Sequence, residues 1–379
     1  MTKHAEQETT QIVTAGPQLL TVRSSALALR GLRDLARESN WLVKKVFAGA
    51  AAGLEISPAG CVAVISPGSA ASLPRLAIFD VEERLPVRQL EVQSGQESPE
   101  SDDRANLGAA FAWSSSGSEL IAAWSSLKNE LRYFDLRLTS SGKPFGADEQ
   151  RPTHLDWCHN GEFLAASRSG GTGAAVNLWK ARSGSVPFSD AREAELGFPG
   201  WIERQTYEVE SGEDGAFLGY GRLSFSPDGR ALAVAAEFQG EWADDSIAIV
   251  DVPGMREQLT HPAQGHITDI TWTPDGKRII YCASGQAYRL DVETMEAEPL
   301  TFGAEWCACH PELPLCGCYS GWLKNSAKGR LFLVDLRTMK VFDEHAAEGV
   351  ADVRWSDSGT KAYAVTRDGL AYVYEPMFL

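Results

Sequence analysis

Between Leu54 and the C-terminus the chain repeats one pattern seven times, and that repetition limits its possible folds more than any other feature. A first phrase ends in a large side chain followed by a turn: LEISPAG (54 to 60), FAWSSSG (111 to 117), LDWCHNG (155 to 161), LSFSPDG (223 to 229), ITWTPDG (270 to 276), CACHPEL (307 to 313) and VRWSDSG (353 to 359). A second phrase follows it: LAIFD, LRYFD, VNLWK, IAIVD, AYRLD, LFLVD and AYVYE. The residues closing this second phrase are Asp80, Asp135, Lys180, Asp251, Asp291, Asp335 and Glu375, which gives steps of 55, 45, 71, 40, 44 and 40 residues. Without insertions the period is therefore 40 to 45 residues, the length of a four-stranded propeller blade.

Within each repeat the hydrophobic period is two. In residues 267 to 291, Ile267, Asp269 and Thr271 alternate with Thr268, Ile270 and Trp272, Pro274-Asp275-Gly276 turns the chain, and two further short strands follow. Short segments after the closing residues, such as Val87 to Val92, Gln205 to Val209 and Lys340 to Phe342, supply a fourth strand. The seventh unit has only Pro376 to Leu379 left after its third strand. The alternating segment Leu42 to Phe47, upstream of the first phrase, is expected to provide the missing edge and close the ring. The expected fold is thus all-β: a seven-bladed β-propeller of four-stranded antiparallel blades over residues 41–379. A tail with a short helix precedes it in residues 1–40, and insertion loops interrupt it at 94–105 and 183–203.

The 379-residue chain is 44% hydrophobic with 35 glycines, which suits many short strands joined by tight turns. It has no apolar run of about 18 residues and no basic start followed by an apolar block, so a cytoplasmic location without membrane insertion is expected. Seven cysteines in such a context read as reduced thiols. A net charge of −16 opposes nucleic acid and anionic membranes, which bind through basic surface.

The SPDG-type turns (Ser226 to Gly229, Thr273 to Gly276), the Gly265-His266 pair and endings such as Phe79-Asp80 and Val334-Asp335 resemble the WD-repeat propeller family over residues 41 to 379. The resemblance is divergent. No repeat ends in Trp-Asp, Trp179-Lys180 being nearest, and one repeat alone opens with Gly-His, so the hydrogen-bond relay that the family builds on such a histidine is expected to be incomplete at His266. PDG turns are also shared with TolB-type propellers, which typically have six blades and an exported context.

Alignment of the phrases places Ile56, Trp113, Trp157, Phe225, Trp272, Cys309 and Trp355 at one position, packed between blades, where burial contributes about 1.5–3 kcal/mol each. The preceding position holds Glu55, Ala112, Asp156, Ser224, Thr271, Ala308 and Arg354. Because blades 7 and 1 are neighbours in a closed ring, Arg354 and Glu55 are candidates for pairing across the seam. The alternative is separate solvation in the channel.

Cys307, Cys309, Cys316 and Cys318 fall on one face if 307 pairs with 318 and 309 with 316. They are candidate zinc ligands, yet they align with core positions of the neighbouring repeat and point along parallel vectors, which favours buried thiols, with a redox pair as a further reading. No hydrolase elbow, zinc-protease or phosphate-loop motif is present. No catalytic residue and no cofactor are expected.

The excursions from the repeat are the candidate partner-binding elements. Residues 183–203 carry Phe188, Phe198 and Trp201, either as a flap on the propeller or as a binding surface. Phe238 and Trp242 are read as part of a nearby strand-connecting loop. Ser25 to Glu38 reads as an amphipathic helix with Arg30, Arg33 and Arg37 on its polar face, the one basic segment of an acidic chain, and the 94–105 loop is acidic. A monomeric propeller serving as a non-catalytic protein-interaction scaffold within a complex is the expected function. An enzyme or small-ligand-binding propeller with a site at the channel mouth is the competing class. Three or more carboxylates or histidines converging on the channel would favour the latter.

Overall fold

The computed structural model describes residues 41–48, 51, 53–66, 75–82, 88–91, 109–124, 131–138, 151–169, 175–181, 201–208, 216–239, 245–254, 256–321 and 329–375. They form a seven-bladed propeller of antiparallel sheets. Blade 1 runs outward through Gly53–Ile56, Cys61–Ser66, Arg75–Asp80 and Arg88–Glu91. Blade 2 has three described strands, Ala109–Trp113, Glu119–Trp124 and Arg132–Asp135. Blades 3 and 4 begin at Arg151–Trp157 and Ala216–Phe225 and share one extra bridge between Ser169 and Gly219. Blades 5 and 6 begin at Ile267–Trp272 and Trp306–Cys309.

Blade 7 consists of Val350–Trp355, Ala362–Thr366 and Leu370–Tyr374, and its outermost strand is Trp41–Lys45. Trp41 pairs with Tyr374, Val43 with Tyr372 and Lys45 with Leu370, so the donated strand comes from the segment the sequence pointed to. Trp41 and Phe47 are buried, whereas Leu42 and Val43 face outward.

The first phrase ends in the same turn almost everywhere. Gly60, Gly117, Gly161, Gly229, Gly276 and Gly359 all have φ between +66° and +78°, a region open to glycine and strained for other residues. The residue opening the turn is buried in all seven blades: Ser57, Ser114, Cys158, Ser226, Thr273, His310 and Ser356. Where it is Ser or Thr, its oxygen accepts a backbone N–H from the start of the next strand, as in Cys61 to Ser57 (2.9 Å), Ala231 to Ser226 (2.9 Å) and Arg278 to Thr273 (3.1 Å).

Blade 6 has no glycine in this turn, and His310 takes over. Its Nδ1 accepts the N–H groups of Glu312 (3.0 Å) and Leu313 (2.8 Å), so Nε2 carries the proton and donates to the Gly359 carbonyl of blade 7 at 3.0 Å. The ring lies 4.7 Å from Trp355, and burial pushes its pKa down to about 4, which keeps it neutral. A Cβ on Gly359 would meet the His310 ring at 2.2 Å, so that position requires glycine for space as well as for φ.

Side chains at the aligned anchor position seal the blades. Ile56, Trp113, Phe225, Trp272 and Trp355 are buried, and Trp157 and Cys309 are partly buried. Three of the indoles reach back to the previous blade: Trp113 Nε1 donates to the Glu55 carbonyl (3.3 Å), Trp272 to Ser224 (2.8 Å) and Trp355 to Ala308 (3.0 Å). These three anchors therefore add a directed bond to their apolar area.

A charged channel at the centre of the ring

The innermost strand of a blade has no partner on its channel side, so alternate N–H groups there need acceptors from elsewhere. Three carboxylates provide them, each reaching into the following blade. Asp352 of blade 7 accepts the Ile56 N–H of blade 1 at 2.9 Å, Asp156 of blade 3 accepts Phe225 of blade 4 at 2.8 Å, and Asp269 of blade 5 accepts Cys307 of blade 6 at 2.9 Å. In blade 5 the Thr271 hydroxyl does the same for Cys309 at 3.4 Å.

Arg354 closes the seam. Its guanidinium lies 3.4 Å from Glu55 of blade 1 and 3.8 Å from Asp352 of its own strand, which confirms the pairing across the closure. Arg222 of blade 4 donates through Nε to the Thr268 carbonyl of blade 5 (3.1 Å) and lies over the Trp306 ring of blade 6, 4.4 Å from its centre. Water in the channel reaches these groups in part: 13% of the Glu55 and Asp352 side chains and 37% of Arg354 are exposed.

Enclosure sets the protonation pattern. Burial holds the Glu55 carboxyl well above its ordinary range despite Arg354. It raises Asp352 against the pull of Arg354, and lifts Asp156 and Asp269 to about 6. His154 is held well below its ordinary value by burial and by Arg222 and Arg354, so it is neutral. Burial alone would lower Arg354, but the carboxylates of Asp352, Glu55, Asp156 and Asp269 outweigh it and raise its pKa.

At one end the channel widens into a cavity of about 420 Å³ lined from all seven blades, including Glu55, Phe111, His154, Arg222, Thr268, Trp306 and Arg354, with Arg367 at its edge. Sequence reading placed Glu55, Asp156 and Arg354 on the inner strands of the ring and missed His154, Arg222, Asp269 and Asp352. The missed residues lie two positions upstream on the same strand face, and a period of two would have found them.

His266, which is also at the mouth, contacts the buried Asp245 through Nδ1 at 3.1 Å, and Asp245 also accepts the Ile267 N–H at 2.8 Å. That contact bridges the residue before the third strand of blade 4, Ser246–Asp251, to the start of blade 5.

The other candidate sites fare differently. Cys307 pairs with Cys318 and Cys309 with Cys316, as the hairpin arithmetic required. No group of three or more His, Cys, Asp or Glu among the described residues is arranged to hold a metal ion. Phe238 lies in the strand Ala231–Gln239, not in a connecting loop, because the hairpin continues to pair there with Phe217. Trp201 begins the outer strand of blade 3, Trp201–Glu208, and so belongs to the sheet at the end of the insertion. Phe188, Phe198, Trp242, Arg30, Arg33 and Arg37, with the proposed helix and the 94–105 loop, lie outside the described residues. No helix among the described residues is long and apolar enough to cross a membrane.

The linked protons of the channel give a testable result. Asp269 has a raised folded-state pKa, so the native chain holds its proton more tightly than the unfolded chain, and this contribution to stability is lost as pH rises from about 4 through about 6. His310 acts in the opposite direction over a similar range, because its lowered value costs stability as pH falls from 6.5 towards 4. Comparing Asp269→Asn with the parent isolates the first effect. The variant keeps an acceptor for Cys307 and should lose the pH-dependent decline of Asp269, on the order of 2 kcal/mol between pH 4 and 7. Asp269→Ala, which orphans the Cys307 N–H, should be weaker at every pH by about 1–3 kcal/mol. Urea unfolding across this range measures both, and parallel parent and Asn curves would remove Asp269 from the linkage.

Comparison with known proteins places the fold but no family. No family model matches the chain, and no curated protein sequence matches it. Among solved structures it is similar to the β-propeller domain of Cps50 (Swd1) from Myceliophteria thermophila, with a TM-score of 0.57 at 11% identity, covering 88% of this chain and 99% of that one. It is similar also to hydrazine synthase from Kuenenia stuttgartiensis, with a TM-score of 0.59 at 14% identity, covering 89% and 98%. At these identities the likeness is one of fold. The propeller fold is what they share with this chain.

Proposed function

We propose that the chain is a non-catalytic recognition propeller that holds a protein partner on its channel-mouth face and its insertions. The two structural neighbours, one a β-propeller domain and the other hydrazine synthase, leave the fold neutral between classes, so the site has to decide. The observation that carries the reading is how the channel charges are used. Asp156, Asp269 and Asp352 each satisfy an N–H of the next blade, and Glu55 and Asp352 share Arg354. Groups that hold the ring in register are poorly placed to shuttle protons for a substrate.

Titratable groups at the channel mouth do favour a second reading, a small polar ligand in the cavity, because Glu55, Asp352 and His154 line it together with Arg222 and Arg354. In either reading Arg222, stacked on Trp306, and Arg367 at the edge are the contact groups to test. Affinity capture with the intact chain, repeated with Arg367→Glu and with residues 183–203 removed, identifies a partner, and titration of the purified pair follows. At least tenfold weaker binding in one of the two variants is expected. Undiminished binding in both, or saturable uptake of a small metabolite with no protein partner, would replace this reading with the second.

A further inference from the structure

Five of the seven cysteines, Cys282, Cys307, Cys309, Cys316 and Cys318, gather in the wall between blades 5 and 6. Cys307 faces Cys318 and Cys309 faces Cys316 directly across the blade 6 hairpin. Both are rungs without mutual backbone hydrogen bonds. The N–H groups of Cys307 and Cys309 point away to Asp269 and Thr271 of blade 5, and His310 N–H closes on the Leu315 carbonyl at the next rung. At such rungs the Cα atoms of a pair are about 4.5 Å apart and the side chains are at their closest. A disulfide spans about 4.4–6.8 Å between Cα atoms, so either rung has the required backbone spacing.

The sulfurs separate the two rungs. Cys316 receives the Cys318 S–H at 3.7 Å and directs its own S–H to the Gly317 carbonyl at 3.6 Å, while Cys309 faces it across the rung. Cys307 turns instead towards Cys282 and the Ile280 carbonyl, 3.7 Å away. Cys309 is also the one thiol of the five that is not fully buried, so a small reagent can enter there.

We propose that Cys309 and Cys316 are a thiol modification site, forming a reversible cross-strand disulfide when a hydroperoxide reaches the blade 6 hairpin. The peroxide transfers an oxygen to one sulfur as its O–O bond breaks, giving a sulfenic acid and water from hydrogen peroxide or an alcohol from an organic hydroperoxide. The second thiol displaces that hydroxyl as water. Two thiols thus give up two electrons and two protons, one O–O bond breaks and one S–S bond forms. Cys309 and Cys318 beside it pull the Cys316 thiol down to about 5 against the effect of burial, which favours Cys316 as the attacking sulfur.

The test uses the intact, reduced chain. It is treated with hydrogen peroxide, its remaining thiols are alkylated, and it is cleaved after Glu312, which separates the two cysteines. Mass mapping should show peptides joined through Cys309 and Cys316 with a loss of about 2 Da, reversed by dithiothreitol. The link should persist in Cys318→Ser and Cys282→Ser and vanish in Cys316→Ser. A joined pair Cys316–Cys318 or Cys282–Cys307, a Cys309 sulfinic acid without any link, or full retention of free thiols in the folded protein would each overturn the assignment. Because the parent chain carries the primary readout, a variant that fails to fold leaves the result intact.

Discussion

Arg354→Met is expected to destabilise the propeller by about 2–3 kcal/mol at pH 7, well above the cost of removing a surface ion pair and below that of stripping a fully buried one. The reason is position. Arg354 lies where blade 7 meets blade 1, and its guanidinium stands between Glu55 and Asp352, 3.4 Å and 3.8 Å away. Without it two enclosed carboxylates face each other across the closure. Both already have raised pKa values through burial, and losing the cation raises them further. A carboxyl whose folded-state pKa lies above its unfolded value loses stability as pH rises through the folded value, so the gap between variant and parent should widen from pH 5 to pH 8. Adding Glu55→Gln to the variant should restore part of the loss, because one of the stranded charges disappears. Urea unfolding of the four proteins as a double-mutant cycle measures the coupling. A loss below about 0.5 kcal/mol, or a pH-independent one, would mean that channel water already screens the pair.

The architecture was legible because its signals are local and repeated. A turn that needs positive φ places a glycine at the end of six of the seven first phrases, and the buried residue opening each turn carries a hydroxyl except in blades 3 and 6. Blade 6 could still be aligned through its flanking alternation, although His310 had replaced the glycine-and-hydroxyl device by capping Glu312 and Leu313 itself. The closing strand could be found because the last repeat lacked an edge and the segment before the first repeat had one to give.

The channel was legible only in part. Period two puts Glu55, Asp156 and Arg354 on the channel face, and the same rule puts His154, Arg222, Asp269 and Asp352 there. Yet these four occupy one row in different blades and are of three residue types, so no single repeated letter marks them. Irregular pairing blurs the row as well: the register shifts between Ile267 and Asp269 and between Val350 and Asp352, where a strict alternation count slips. From Asp269 to Thr271 and from Asp352 to Arg354 the pairing runs unbroken, so a count back from the aligned position recovers the row where a count from the start of the strand does not.

Removing residues 1–47 should have the largest effect of any change considered, because it reopens the ring. Trp41–Lys45 is the outer strand of blade 7, and its loss bares the edge of Leu370–Tyr374 along five paired positions. It also uncovers the side of Tyr374, whose ring lies 5.2 Å from Trp41, and of Phe79 in blade 1, 5.4 Å from Phe47. Two buried aromatics together account for about 3–6 kcal/mol of apolar burial, before the lost ladder is counted, against a typical total stability of about 5–15 kcal/mol. An unpaired strand edge is in addition a template for pairing with another chain. The expected result is a product that aggregates, or is recovered only as oligomers, by size-exclusion chromatography. A synthetic peptide of residues 38–50 supplied in trans during refolding should restore monomer. Single substitutions separate packing from pairing. Trp41→Ala should cost about 3 kcal/mol, whereas Trp41→Phe should be nearly neutral, because the buried indole N–H of Trp41 has no hydrogen-bond partner and its removal ends an uncompensated burial. A truncated chain that stays monomeric and unfolds at the parent's temperature would show that three strands suffice for blade 7 and that the ring closes without the strand from the other end.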